Sequence, residues 1–154
     1  MSSTDSSKPK YYSSTYRHGV DDKRRVQIPA KWRPDDEGVE LTLILWPNEG
    51  LQGPCLRILP PKQMEALMAK IEAMPSADPE AVALRRNIAR DSDQASIDKA
   101  GRICIPERMA QLAGLEKEAI LAGALQWFEI WNPDRYTAAS AVDQTLSPGA
   151  LKRI

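Results

Sequence analysis

The sequence is short of the residues that most chemistry needs. It has one histidine, His18, and two cysteines, Cys55 and Cys104, in 154 residues. With no C-x-x-C and no second histidine, it offers no zinc-ligand set. Two thiols at unrelated places read as free cysteines of a cytosolic protein rather than a disulfide. A His–Cys nucleophile pair would have to join His18 to Cys55 or Cys104. Cys104 sits in an alternating apolar strand, where a buried, inert thiol is expected. Glycine-rich phosphate loops, G-x-S-x-G and paired histidines are all missing. The expectation is therefore no enzyme, no cofactor and no small-molecule substrate. There is no apolar run long enough to span a membrane and no signal segment at the start. A single Phe leaves a thin core. Halves of this chain would be marginal alone and are expected to fuse their cores or oligomerise.

What is present is a ten-residue stretch that occurs twice. Val20-Asp-Asp-Lys-Arg-Arg-Val-Gln-Ile-Pro29 is echoed by Ile97-Asp-Lys-Ala-Gly-Arg-Ile-Cys-Ile-Pro106, at an offset of 77. Each copy reads as a strand, a tight polar turn and a second strand with alternating apolar residues, Val26 and Ile28 or Ile103 and Ile105. Asp21 and Asp98 can accept backbone N–H groups within the turns, and Arg25 and Arg102 leave them with their guanidinium groups outward. Such a device holds a cation on a rigid hairpin. Two copies indicate an internal duplication.

The surrounding elements repeat as well. The second half of 11–20 reads as a strand, 29–34 as a helical turn stopped by Pro34, 41–46 as a strand buried on both faces and 55–59 as a further strand. Between the last two, 47–54 is turn-like. Pro61 to Met74 reads as a helix with a stripe of Met64, Leu67, Met68, Ile71 and Met74, assigned to core packing. Asp78 and Pro79 open a helix to about Arg90. After the second motif come a helix over 106–112 ended by Gly114, strands over 119–125 and 127–131, and a helix capped by Asn132 running through Val142. Leu56-Arg-Ile-Leu-Pro-Pro61 matches Phe128-Glu-Ile-Trp-Asn-Pro133 at an offset of 72. The expected organisation is a disordered extension over 1–11, repeats over 12–76 and 77–145, and a tail over 146–154.

The paired motifs resemble the Asp-x-x-x-Arg motif of AbrB-like swapped-hairpin domains. Two copies, with P-E-R-M-A-Q-L-A-G-L after the second, resemble the MraZ family of bacterial transcriptional regulators over roughly residues 12–145. The resemblance implies an α+β, mainly β fold: a duplicated swapped-hairpin β-barrel with flanking helices. It implies a cytoplasmic, nucleoid-associated ring oligomer that binds short promoter-proximal direct repeats in double-stranded DNA and represses its own cell-division and cell-wall operon. Here the glycine expected before the first-motif arginine is Arg24, whereas Gly101 is kept. If that position needs φ > 0, Arg24 is strained relative to glycine.

Charge supports an anionic partner. Net charge is zero, yet residues 1–33 hold eight Lys/Arg against three Asp/Glu, so the potential around the first motif is positive. The DNA-contact candidates are Lys23, Arg24, Arg25, Arg17 and Arg102, with Asp21, Asp98 and Gly101 structuring the turns. For Arg25 the rival role is an ion pair with Asp21, and for Arg102, in an acidic half, the structural role is the stronger one. Arg85 and Arg86 read as a solvated face or a subunit contact. Trp46, Trp127 and Trp131 are assigned to packing. The rival function is an AbrB-like antitoxin or a protein-binding assembly module.

Overall fold

The computed structural model describes residues 11–48 and 53–154. Apart from Tyr11, the extension expected over 1–11 lies outside the described residues, as do positions 49–52 of the turn-like segment. The strands are β1 (Thr15–Gly19), β2 (Arg25–Gln27), β3 (Glu40–Trp46), β4 (Cys55–Leu59), β5 (Ser92–Ser96), β6 (Arg102–Cys104), β7 (Glu118–Gly123) and β8 (Phe128–Trp131). The helices are α1 (Pro61–Glu72), α2 (Pro79–Arg90), α3 (Glu107–Leu112) and α4 (Pro133–Leu151), with a 3-10 turn over Ala30–Trp32.

Six strands form one antiparallel sheet in the order β1-β7-β8-β4-β3-β5, and β2 pairs with β6 as a separate ribbon. The order is unchanged when β1, β3 and β4 are exchanged for β5, β7 and β8 and the sheet is read backwards. The two halves are therefore related by a pseudo-twofold, and each contributes its first strand to the other: β1 pairs with β7 and β5 with β3.

Period-2 alternation decides what lies where. Leu56 and Ile58 of β4 and Ala119 and Leu121 of β7 face the main core. Cys55, Ile120, Ala122 and Trp131 face the opposite side, where Tyr136 and Ala139 of α4 cover them. The ribbon closes the main core with Val26, Ile28, Ile103 and Ile105, all fully buried. Trp32 lies among them, stacked on Phe128 at 4.9 Å and edge-on to Tyr16 at 5.4 Å.

The helix ends follow local chemistry. The Asp78 carboxylate accepts from the Glu80 amide, and Asn132 accepts from Arg135 N–H. At the end of α3, Gly114 takes φ 70°, its N–H donates to Gln111, and Leu115 N–H donates to Ala110, both at carbonyl oxygens. These bonds satisfy carbonyls that the helix itself leaves open. α4 continues to Leu151, beyond the Val142 end expected and into the segment read as a tail.

Three expectations are corrected. The α1 stripe is not core: only Ile71 is buried, and Met68 and Met74 stay 39% and 37% exposed. The ribbon already covers the main core, so α1 packs instead along β3 and β4. Arg85 is not a freely solvated cation, because its Nη2 donates to the carbonyls of Ile71 and Met74. It caps α1, where the helix dipole favours a cation.

The third is Cys104, which is exposed, while Cys55 is the buried thiol. The alternation that turns Ile103 and Ile105 inward turns Cys104 out. Burial, with the Glu129 carboxylate nearby, pushes the Cys55 thiol up to about 12. Native protein should therefore react rapidly with one equivalent of a thiol reagent and take up a second only on denaturation. Two fast thiols in the folded protein would contradict the packing around Cys55.

Among the tryptophans, Trp46 and Trp127 both pack on the Arg57 guanidinium, at 3.6 and 4.3 Å. Trp127 and Trp131 donate their indole N–H groups to the two oxygens of Glu129. The Arg57 Nε lies 3.5 Å from Glu129, a charge contact rather than a formed hydrogen bond. Packing on a cation holds this corner of the sheet.

Candidate nucleic-acid interface

The two motif turns are the same structure built twice. In the first, Asp21 Oδ1 accepts the backbone N–H of Lys23 at 2.9 Å and of Arg25 at 2.8 Å, while Oδ2 accepts Arg25 Nε at 2.7 Å. In the second, Asp98 Oδ1 accepts the N–H of Ala100 and Arg102, each at 2.9 Å, and Oδ2 accepts Arg102 Nε at 3.1 Å. The backbone N–H of Arg25 holds the Asp21 carboxyl below its ordinary range, and that of Arg102 does the same to Asp98. The hydrogen bond to Asp21 raises Arg25 in turn.

These turns do not join hairpins, as the sequence suggested. A single bridge, Val20 to Val26, links the strands flanking the first turn. β1 leaves to pair with β7, and β2 pairs with β6 in the register Arg25–Cys104, Val26–Ile103, Gln27–Arg102. The reason is burial: a lone two-stranded hairpin is marginal in water. Pairing the two motifs with each other closes the core with four branched side chains.

That pairing assembles a surface that neither motif has alone. With Val26 and Ile103 inward, Arg25, Gln27, Arg102 and Cys104 share the outward face of the ribbon. Arg25 and Arg102 lie on a diagonal, roughly 7–8 Å apart at the backbone for such neighbours. Gln27 was missed by sequence reasoning; its Nε2 donates to Ala100 O at 2.9 Å, which anchors it beside the second turn. The signal was available, since the period that buries Val26 and Ile28 exposes positions 25 and 27.

The other candidates separate. Lys23 is exposed at the turn. Arg24 takes φ 60° and turns toward the second motif, its Nε donating to Ile105 O at 3.0 Å. Arg17 belongs to the six-stranded sheet, where its Nη1 pairs with Glu118 at 2.8 Å. Gly101 takes φ 83°, and a Cβ there would collide with the Arg33 guanidinium. No cluster of three or more metal-ligating side chains occurs among the described residues. No helix among them is long and apolar enough to cross a membrane.

Residues 88–150 match a family model described as MraZ protein, putative antitoxin-like. The chain is 30% identical over 139 residues to the transcriptional regulator MraZ of Thermomicrobium roseum, covering 90% of this chain and 94% of that protein. It is 34% identical to the transcriptional regulator MraZ of Roseiflexus castenholzii, covering 89% and 92%. The chain belongs to the MraZ family. The MraZ regulator of Pseudomonas putida is 32% identical over 135 residues, covering 86% and 88%. The family model spans the second motif and α4, whereas the MraZ relatives align over most of both halves.

Proposed function

We propose that this chain is a non-enzymatic, DNA-binding transcriptional regulator whose reading surface is the outward face of the β2–β6 ribbon. The relatives named as transcriptional regulators support the class, and the placing of Arg25, Gln27 and Arg102 on one face carries the reading. A two-stranded ribbon fits the major groove, where arginine pairs bidentately with guanine and glutamine with adenine. Asp21 and Asp98 each grip Nε, so the outer nitrogens are aimed before any partner arrives and less side-chain entropy is lost on binding. Lys23 reaches a phosphate, while Arg24 and Arg17 add positive potential around the site.

The architecture proposed is the duplicated swapped-hairpin β-barrel of AbrB-like domains, with halves over 12–76 and 77–145 and helices outside it. The strand interleaving and the 77-residue offset support it. One ribbon per subunit binds weakly. A ring oligomer presents several at a fixed pitch and gains from effective concentration on promoter-proximal direct repeats. Such an assembly, working on the nucleoid in the cytoplasm, represses the cell-division and cell-wall operon to which its own gene belongs. The rival reading, an antitoxin-like or assembly module, draws on the exposed Val142, Leu146 and Leu151 of α4.

The test is a mobility shift on the duplex immediately upstream of the chain's own gene at two salt concentrations, with light scattering on the free protein. A retarded complex is expected, with affinity falling steeply with salt, and a mass several times 17.1 kDa. Lys23→Ala should reduce the salt slope by about one. Equal affinity for unrelated DNA, or no complex at low salt, would defeat the reading.

A further inference from the structure

The pseudo-twofold makes the two ribbon ends comparable atom by atom. Ile105 N–H donates to Arg24 O at 2.9 Å, and Ile28 N–H donates to Gly101 O at 2.8 Å. Ile28 and Ile105 are counterparts, as are Arg24 and Gly101, at the 77-residue offset. At each end the isoleucine carbonyl also accepts a guanidinium Nε, but the donors come from different places. Arg24 Nε serves Ile105 O at 3.0 Å from within the turn. Arg33 Nε serves Ile28 O at 2.9 Å from beyond the 3-10 turn. Arg33 occupies the space that a side chain at Gly101 would fill. The counterpart of Arg33 is Ala110, in α3, which carries no donor.

We infer that Arg24 and Arg33 are two solutions to one requirement, a guanidinium on the isoleucine carbonyl at each ribbon end, and that Arg24 positions the first turn rather than contacting DNA. This accounts for a non-glycine residue at φ 60°: strain at Arg24 is offset by a bond that glycine could not make. It accounts for Gly101 equally, because any side chain there meets Arg33. By latching the first turn to the second motif, Arg24 fixes the peptide that precedes Arg25. The role of Arg24 toward DNA rests on the function proposed above; the exchange between Arg24 and Arg33 does not.

The two parts are tested separately. Gly101→Arg alone clashes with Arg33, and Arg33→Ala alone strips the Ile28 carbonyl, so each should lower the melting temperature. The double variant, Arg33→Ala with Gly101→Arg, rebuilds at the second end the arrangement native to the first, and should recover most of the loss. A double variant no better than the sum of its singles overturns the exchange. Arg24→Gly should speed hydrogen exchange at the Lys23 and Arg25 amides and weaken binding to the upstream duplex several-fold, with a salt slope lowered by much less than a phosphate contact would lower it. A slope lowered by about one would make Arg24 a phosphate contact and overturn the positioning role. If the native protein does not bind the duplex, the proposed function fails, and the melting and exchange measurements still decide this one.

Discussion

Arg25→Ala should abolish stable retention of the upstream duplex while leaving the protein folded and assembled. Removing an arginine that reads a base edge weakens binding roughly 5- to 150-fold per site. Where several subunits engage one DNA the losses multiply, because each site adds through effective concentration. Folding should be nearly untouched: the Arg25 side chain is about a third exposed, and exposed ion pairs contribute little. The backbone bonds from Lys23 and Arg25 to Asp21 survive the substitution, so the turn keeps its shape. Arg25→Lys separates charge from geometry, since an ammonium keeps the potential but not the planar fork. It should restore part of the salt-dependent affinity and little of the preference for the upstream duplex. Arg102→Ala should do less than Arg25→Ala, because its turn carries only Lys99 beside it. Unimpaired binding by Arg25→Ala, or a loss that tracks dissociation of the oligomer, would leave the Asp21–Arg25 pair with a structural role alone.

Trp32→Ala should be the most damaging single change to stability. Trp32 is 1% exposed, stacks on Phe128 from the other half, and donates its indole N–H to Ser13 O at 3.1 Å. Deleting a buried tryptophan costs about 3–5 kcal/mol in transfer and cavity terms. That is a large share of the roughly 5–15 kcal/mol that holds a domain together. Because β1 and Phe128 both rest on this side chain, the two halves should melt together, earlier and in one step. Circular dichroism in the near and far ultraviolet should give coincident transitions. Two separated transitions, or a loss below about 1 kcal/mol, would mean that the halves hold independent cores.

Strand and helix positions were legible along most of the chain, because each rests on local signals. Alternation marked β2 and β6, proline and asparagine or aspartate marked the openings of α2 and α4, and Gly114 marked the end of α3. The Asp21–Arg25 and Asp98–Arg102 turns were legible for the same reason, since every bond in them spans four residues or fewer. Even the outward thiol of Cys104 was written in the alternation, and reading its strand as wholly buried lost it.

Partner choice was decided only by the tertiary structure. Two nearly equivalent motifs can each fold back on themselves or exchange strands, and periodicity is the same either way. Only burying Val26, Ile28, Ile103 and Ile105 in one shared core separates the outcomes. The shared face of Arg25, Gln27 and Arg102, the latch from Arg24 to Ile105, and the capping of α1 by Arg85 all follow from that long-range pairing and packing. They join residues 11 to 81 positions apart, a separation that no local pattern encodes.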